Sequence, residues 1–301
     1  MSSASSASSA SSAAITYQIF LKAPNGLSVI SRRSDAPETE GWHYDETDDA
    51  DSLLSSYIAA YIEDGSMKNW LAYNDEVAGE NVSSSHGHCK GVLAWDDAEL
   101  VWLVHSCPKY PETPRPTFRV PENALVYGQS FVCLRLPSSY LVPVIGHLRI
   151  MNAYVYAFEG NAKATFDEVA TPPTDFDIIR FTDTIWHVAK GKAWDEDFYE
   201  QGLHGLFGGG EFVESWMRPR VADTPDIDNL DEIAWPNGLR YGSSRDHSKY
   251  GFSLSKDDPW VYVGDMNHQK SQAKRGGGGV VIIDEPLWSA FRSLVYDKKN
   301  E

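Results

Sequence analysis

A short motif, His-x-Lys, occurs twice in this chain and is followed each time by the same pattern of apolar segments. The triplet His88-Cys89-Lys90 precedes an apolar segment, an acidic turn and a second apolar segment that ends near Ser106. The triplet His247-Ser248-Lys249 precedes the same succession, which ends at Asn267. Repetition of one strand–turn–strand unit restricts the possible folds and predicts two related lobes.

Short apolar runs bounded by Gly, Pro, Asn and Asp predict a strand-rich, mixed α/β (α+β) fold. A hairpin is expected within residues 15–44, and further strands at 70–73, 92–95, 100–104, 131–136, 149–159, 211–219, 251–254, 260–264 and 280–283. Helices are expected at 47–64, where apolar residues have helical spacing, and at 286–296, which begins with Pro. Residues 175–201 are expected to be partly helical, and 223–232 to form an acidic loop.

The length of the chain and its apolar content limit the domain organisation. With 301 residues, 42% of them hydrophobic, the chain can form one large domain or two smaller ones. The Ser/Ala repeat of residues 1–14 is expected to be a disordered tail, because it lacks the charged and apolar regions of a signal peptide. A single catalytic unit is expected at 15–301, with lobe one at about 15–150 and lobe two at about 151–301. The longest apolar stretch, 140–158, is interrupted by His147 and Arg149, so no transmembrane helix is predicted.

The cysteines do not indicate a disulfide framework. Cys89, Cys107 and Cys133 are too few and odd in number for one. Three buried thiols are expected, because cysteine is often buried, although the sequence leaves one bridge open. Cysteine usage therefore does not identify the cellular compartment.

The net charge of −17 argues against a polyanionic partner such as DNA. Two considerations weaken that argument. The charge of the whole molecule does not determine the charge of a cleft. Protonation of all nine histidines in mild acid would also about halve the net negative charge.

The residue types in the two motifs suit phosphate chemistry. In a strand, residues two apart point to the same face, so each motif would present an imidazole beside an ammonium group. Lysine can hold a non-bridging phosphate oxygen, and histidine can attack phosphorus or transfer a proton. Two histidines allow nucleophile and general acid to be separate residues, so no metal is required. The sequence indicates neither a carboxylate cluster suited to Mg²⁺ nor a ligand set for zinc around His86 and His88.

Longer segments around the motifs resemble the deoxyribonuclease II family. GHCKGVLAWD (87–96) and DHSKYGFS (246–253) resemble its two active-site segments. The further resembling segments are LAYNDE (71–76), LVHSCPKYP (103–111), YGQSFVCLRLP (127–137), WVYVGDMNHQKSQAKRGGGG (260–279) and PLWSAFRSLV (286–295). The similarity therefore runs in patches from about residue 15 to residue 295.

This resemblance implies a fold and an activity. The fold is phospholipase D-like, with two pseudo-symmetric lobes, each with a central β-sheet flanked by helices, that bring both motifs together. The activity is that of an endonuclease that cuts double-stranded DNA at acid pH without metal or other cofactor. The reaction passes through a covalent phosphohistidine and leaves 3′-phosphate and 5′-hydroxyl ends.

The resemblance also implies roles for individual residues. His88 and His247 would be the catalytic pair, and Lys90 and Lys249 would hold the phosphate. By analogy with the superfamily, His88 is the nucleophile and His247 the acid that protonates the leaving group.

Four further residues are expected to support the reaction. His105 and Asn267 occupy supporting positions in their segments. Lys274 and Arg275, beside the glycine run 276–279, are expected to contact DNA phosphates.

Two other functions stay open at this stage. One is a phospholipase D-like phosphodiesterase acting on another substrate such as lipid, although the sequence lacks a basic amphipathic segment for membrane docking. The other is a catalytically dead DNA-binding relative, against which the presence of both complete motifs argues. Animal members of the family carry a secretory signal and more cysteines, neither of which is visible here. Compartment and oligomeric state, monomer or homodimer, are therefore left open.

Overall fold

The computed structural model describes residues 14–46, 48–80, 85–112 and 118–296, and the structural statements below concern these residues. The expected disordered tail at 1–14 lies outside them, apart from residue 14. Cys89, Cys107 and Cys133 are buried free thiols, so the expectation of three buried thiols is confirmed.

Two seven-stranded sheets form the frame of the protein. The first has the strand order β2-β1-β6-β5-β4-β3-β7 and is antiparallel throughout. Its strands are β1 (Thr16–Lys22), β2 (Val29–Arg33), β3 (Asn69–Tyr73), β4 (Gly91–Trp95), β5 (Glu99–His105), β6 (Gln129–Pro137) and β7 (Val155–Glu159).

The second sheet has the order β11-β10-β14-β15-β16-β9-β8, in which only β10 and β11 are parallel. Its strands are β8 (Phe176–Arg180), β9 (Ile185–Lys190), β10 (Glu211–Glu214), β11 (Ile227–Asn229), β14 (Tyr250–Ser253), β15 (Trp260–Gly264) and β16 (Gly277–Ile283). A separate hairpin pairs β12 (Glu232–Ala234) with β13 (Arg240–Gly242).

The helices are short. They are α1 (Ala50–Leu54), α2 (Ala60–Glu63), α3 (Glu122–Leu125), α4 (Leu141–Ile150), α5 (Ala162–Glu168), α6 (His204–Phe207) and α7 (Glu285–Arg292). A π-helical stretch joins α1 to α2, so a helix is present at 50–63 of the segment 47–64 in which one was expected; residue 47 lies outside the described residues. Asp284 caps α7 by accepting from the amide of Leu287. No described helix has the length and apolar character needed to cross a membrane.

Side-chain alternation along the strands builds a central core between the two sheets. On β5, Leu100, Trp102 and Val104 belong to this core, which also contains residues of β15. Val101 and Leu103 point the other way and pack in a second cluster with α1. A third cluster covers the far side of the second sheet. The strand-rich, mixed α/β fold expected from the sequence is therefore confirmed.

The two sheets match each other when their strand orders are followed in opposite directions. β4, β5, β6 and α4 then correspond to β14, β15, β16 and α7. The backbone bonds agree: the amide of His105 donates to Lys90 (3.2 Å), and that of Gly264 donates to Lys249 (3.0 Å). The lobe boundary near residue 150 stays a prediction, and β7, which lies beyond it, pairs with β3 of the first sheet.

Three secondary-structure predictions need correction. The segment 175–201 has helical turns in its second half, as expected, but it begins with the strands β8 and β9, which were not predicted. Polar and charged residues lie within or at the ends of both strands, so the composition of the segment concealed them. The segment 149–159 starts within α4 and contributes a strand only from Val155. The acidic segment 223–232 contains β11.

Candidate active site

The two His-x-Lys motifs occupy equivalent positions, directly before β4 and β14, and each is held by the opposite half of the chain. The amide of His88 donates to the carbonyl oxygen of Gly276, just before β16 (2.7 Å). The amide of His247 donates to the carbonyl oxygen of Gly128, just before β6 (2.9 Å). The amide of Lys249 also donates to the hydroxyl of Ser130 on β6 (3.0 Å). Each motif therefore has its backbone fixed by the other sheet.

The imidazole of His88 has a defined tautomer. Its Nδ1 lies 2.6 Å from the carbonyl oxygen of Asp265, an atom that can only accept. Nδ1 therefore carries the proton and Nε2 carries the lone pair. Burial, and then the charge of Lys90, hold the pKa of His88 well below its ordinary value. The side chain is thus a neutral imidazole with a basic Nε2, as a nucleophile requires.

Lys90 lies in a buried charge network. Its ammonium group forms an ion pair with Asp75, and both side chains are almost inaccessible to solvent. The other carboxylate oxygen of Asp75 accepts from the guanidinium of Arg275 (2.9 Å). Burial would raise the pKa of Asp75, but Lys90, His88 and Arg275 together hold it well below its usual range. Asp75 therefore stays ionised in acid and keeps Lys90 in place.

Lys249 has different partners. Its ammonium group donates to the carbonyl oxygen of His247, within its own motif. Within the described part of the chain it forms no ion pair with a carboxylate. Burial, and then the neighbouring charge of Lys90, lower the pKa of Lys249 to about 8. At neutral and acid pH this group is a buried cation available to an anionic ligand.

The ring of His247 lies between two aromatic side chains. Tyr127 stacks on it at 4.0 Å between ring centroids, and Trp216 contacts it edge-on at 4.1 Å. Burial, and then the charges of Lys249 and Lys90, lower the pKa of His247 to about 3. Its Nε2 is buried and has no hydrogen-bond partner among the described residues. A bound anion would raise this pKa, because it would favour the protonated form.

Asp265 contributes its side chain as well as its carbonyl. Its Oδ1 accepts from the amide of Gly278 (2.9 Å), and burial raises its pKa to about 8. In acid it is therefore neutral and does not repel a phosphate. The glycine run allows this packing: a Cβ on Gly277 would lie 2.8 Å from Oδ1 of Asp265.

The four supporting residues proposed from the sequence lie in different surroundings. His105 is buried, its Nδ1 accepts from the amide of Cys107 (3.2 Å), and its ring contacts Tyr110. Asn267 is buried, and its Oδ1 has no hydrogen-bond partner among the described residues. Lys274 is exposed to solvent.

The expected DNA contact at Arg275 has other partners in the structure. Its guanidinium binds Asp75 and the carbonyl oxygen of His86, so it faces the protein interior. In this position it supports the Asp75–Lys90 ion pair from the other half of the chain.

A carboxylate cluster that the sequence did not indicate also lies here. Ligand atoms of Asp75, Glu76 and His88 lie within 4.8 Å of one another. Sequence spacing concealed the cluster, because pairing of β3 with β4 brings these distant positions together. Asp75 is already bound to two cations, Lys90 and Arg275, which would compete with and repel a metal ion.

Sequence reasoning gave no role to four residues that shape the site. Asp75, Tyr127 and Asp265 lie in segments that carried the family resemblance, which was the only available signal. Trp216 lies outside those segments, and nothing in the sequence marked it. All four act through contacts between distant parts of the chain.

The chain is similar in sequence to known proteins of one family. The family model described as Deoxyribonuclease II matches residues 9–300. Deoxyribonuclease-2-alpha of Rattus norvegicus is 31% identical over 290 residues, 85% of this chain and 81% of the relative. Cell-death-related nuclease 7 of Caenorhabditis elegans is 30% identical over 286 residues, 87% of this chain and 77% of the relative. A Putative deoxyribonuclease-2 of Burkholderia thailandensis is 28% identical over 281 residues, 80% of this chain and 75% of the relative.

Proposed function

The chain belongs to the deoxyribonuclease II family of nucleases, and on this premise we propose that it is a metal-independent endonuclease that cuts double-stranded DNA in acid. The observation that carries the proposal concerns His88 and His247. The backbone of each is held by the opposite half of the chain, and their side chains lie in different surroundings. His88 is a neutral imidazole with a free Nε2, and His247 is a ring clamped between aromatic side chains beside a cation. These environments suit a nucleophile and a proton donor, respectively.

In the first step, Nε2 of His88 attacks phosphorus and the bond from phosphorus to the 5′-oxygen breaks. Protonated His247 gives its proton to that oxygen, which leaves as a 5′-hydroxyl. Lys249 and Lys90 stabilise the negative charge on the non-bridging oxygens in the transition state. The 3′ side of the cut remains attached to His88 as a phosphohistidine.

In the second step, a water molecule attacks phosphorus and His247 accepts its proton. The bond between phosphorus and His88 breaks, which releases a 3′-phosphate and restores both histidines. Atoms and protons balance over the two steps, so the reaction consumes only water.

The low pKa of His247 supports activity in acid. At about 3 in the free protein, it leaves the ring mostly neutral near neutral pH. A phosphodiester beside the ring raises that pKa, and a lower solution pH increases the protonated fraction further. The rate of the first step should therefore rise as pH falls from neutral.

The charges at the site also bear on how a chain of net charge −17 approaches DNA. Lys90, Lys249 and Arg275 place three cations around the two motifs against the ionised carboxylate of Asp75, while Asp265 is neutral in acid because burial raises its pKa to about 8. Arg218 adds a fourth cation. It is exposed, lies 4.4 Å above the ring of Trp216, and has no carboxylate partner among the described ion pairs.

The expected gain of positive charge from all nine histidines needs correction. Burial is the main cause that lowers the pKa of five of them, which therefore stay neutral in mild acid: His88, His105, His147, His187 and His247. DNA binding must then depend on the local cations more than on general titration of histidines.

Plasmid cleavage tests the proposal. Supercoiled DNA should be nicked at pH 5 in excess EDTA, and end-group analysis should find 3′-phosphate and 5′-hydroxyl ends. A requirement for Mg²⁺, or 5′-phosphate ends, would contradict the mechanism. Phosphatidylcholine vesicles in a parallel assay should stay intact, and their hydrolysis would favour the lipid phosphodiesterase instead. Absence of any cleavage by a folded sample would favour a dead DNA-binding relative.

A further inference from the structure

Two fully buried lysines end strands that occupy equivalent positions in the two sheets. Lys22 ends β1, which pairs with β6, and Lys190 ends β9, which pairs with β16. Both residues are 0% exposed, and neither forms an ion pair with a carboxylate among the described residues. Burial lowers the pKa of each to about 8, so both are charged at neutral and acid pH. A buried cation is costly unless its donors are satisfied, and here backbone carbonyl groups satisfy them.

The ammonium group of Lys190 binds the loop that ends at Gly276. It donates to the carbonyl oxygens of Gln272 (3.4 Å), Ala273 (2.5 Å) and Arg275 (2.9 Å). The next carbonyl oxygen along the chain, that of Gly276, accepts from the amide of His88. Lys190 therefore holds the loop on which the backbone of His88 rests.

The same loop also reaches Lys90. The guanidinium of Arg275 binds Asp75, and Asp75 forms the ion pair with Lys90. Lys190 is thus connected by hydrogen bonds to both members of the first motif, without contacting either of them.

The ammonium group of Lys22 joins the turn that follows β1 to the end of α3, the segment that precedes β6. It donates to the carbonyl oxygens of Ala23 (2.7 Å), Gly26 (2.9 Å) and Leu125 (3.2 Å). Shortly after Leu125 come Tyr127, which stacks on His247, and Gly128, whose carbonyl oxygen accepts from the amide of His247.

We propose that Lys190 and Lys22 are positioning residues, each for one half of the reaction: Lys190 positions the nucleophile His88, and Lys22 positions the acid His247. The proposal rests on the roles proposed for the two histidines above. Carbonyl groups bound to one ammonium cannot move independently. Lys190 holds three carbonyl groups of the loop before Gly276, and Lys22 ties Leu125, shortly before Gly128, to the turn after β1. A displacement of about 1 Å at a reacting group can cost about a hundredfold in rate, so this restraint matters to turnover.

Each lysine is replaced by Met, and each variant is tested on two substrates with different leaving groups. A folding defect would slow both reactions, whereas a positioning defect should slow only the reactions that need the displaced histidine. Met keeps an unbranched chain of similar length but has no donors. The probe is bis(4-nitrophenyl) phosphate, from which nitrophenolate departs without needing a proton. Release of the first nitrophenolate therefore needs His88 but not His247, whereas cleavage of DNA needs both.

Lys190→Met should slow DNA cleavage and the pre-steady-state release of nitrophenolate alike, each by at least about tenfold. Lys22→Met should slow DNA cleavage by a similar factor but leave the rate of the first release near that of the wild type. If the two variants slow both reactions to the same extent, or if neither slows DNA cleavage, the proposal is wrong.

Three controls keep the outcomes distinct. Leu136→Ala truncates a core side chain at the end of β6 remote from Gly128, so both reactions per folded molecule should be unchanged. If a Met variant does not fold, the matched Gln variant, which keeps two N–H donors in place of three, is compared instead and should slow the same reactions by a smaller factor. His247→Ala should preserve the first release, and its loss would overturn the assigned histidine roles rather than the positioning by the lysines.

Discussion

Nδ1 of His88 lies 2.6 Å from the carbonyl oxygen of Asp265, which belongs to the opposite half of the chain. Because that oxygen can only accept, the contact fixes the tautomer and directs the lone pair to Nε2. The two histidines of the repeated motif thereby become chemically unlike. Their sequences are similar, and the difference comes from what the other half places beside each ring.

The histidines should act as a unit. His88→Ala and His247→Ala should each lower turnover on DNA by at least about a thousandfold, and the double variant by little more, because removal of either member disables the same step. Steady-state cleavage of supercoiled plasmid measures this. A double variant whose loss equals the product of the two single losses would show that the residues act independently.

The buried Asp75–Lys90 ion pair should stabilise the fold in acid as well as at neutral pH. Asp75→Asn leaves Lys90 without its counter-charge and should lower the free energy of unfolding by about 3–5 kcal/mol at pH 5 to 7. The pKa of Asp75 is depressed in the folded state, so its stabilisation is present above about pH 4, the unfolded value, and is lost as pH falls through the folded value.

Urea unfolding at pH 7, 5 and 3 tests this prediction. Asp167→Asn is the matched control, because its ion pair with Lys163 is exposed and should change stability by less than about 1 kcal/mol. Equal effects of the two substitutions would contradict the importance given to the buried pair.

DNA binding should weaken mainly between pH 7 and 9. In this interval Lys249 loses its charge and Asp265 gains one, since both have a pKa of about 8. The site then becomes more negative by about two charges, and the affinity of the inactive His88→Ala variant for DNA should fall roughly tenfold at low salt. Fluorescence anisotropy at fixed ionic strength measures it. Adding Asp265→Asn should reduce the loss, whereas a larger change between pH 5 and 7 would implicate other groups.

Arg218 should contact a phosphate of the bound DNA. Arg218→Ala should raise KM for DNA with little change in kcat, and should reduce the slope of log affinity against log salt by about one. Arg180→Ala is the control, because Arg180 also lies above a tryptophan, Trp186, but no described contact links it to the catalytic histidines. Equal effects of both substitutions would indicate a general loss of charge rather than a contact.

A second histidine pair should destabilise the protein in acid. Nδ1 of His147 lies 2.7 Å from Nδ1 of His187, and burial lowers the pKa of His147 to about 4. As pH falls from about 6.5 to 4, only the unfolded chain takes up this proton, so the free energy of unfolding falls by on the order of 1–3 kcal/mol. His147→Gln should flatten that fall in urea titrations. A fall of the wild-type size in this variant would contradict the prediction.

Many of the strands could be predicted from the sequence because local residue patterns mark them. Strands such as β4, β5 and β15 are apolar runs with clear turn residues at their ends, so local pattern was sufficient. The strands β8 and β9 were missed because they lie in a segment of polar composition. β9 pairs with β16, which lies far along the chain, and β8 pairs with β9.

In the candidate site, too, some residues could be recognised from the local sequence and others could not. The motif histidines and lysines were recognisable because each pair is local in sequence. Asp75, Asp265, Tyr127 and Trp216 were not, since each lies beside a motif only because strand pairing or the packing of the two sheets brings distant segments together. Arg275 shows the reverse case: its sequence position suggested a contact with DNA, and the fold turns it towards Asp75.

Each half of the chain supplies a glycine carbonyl group to the histidine of the other half, so both histidines depend on the same contact between the sheets. Gly276 supports His88 and Gly128 supports His247, so any opening of the contact between the sheets removes the support of both residues together. On the proposed mechanism, separation of the sheets would therefore displace the nucleophile and the acid together, instead of leaving DNA as a covalent adduct that is not hydrolysed. A proteolytic cut that separated the sheets would end phosphoryl transfer and hydrolysis in the same event.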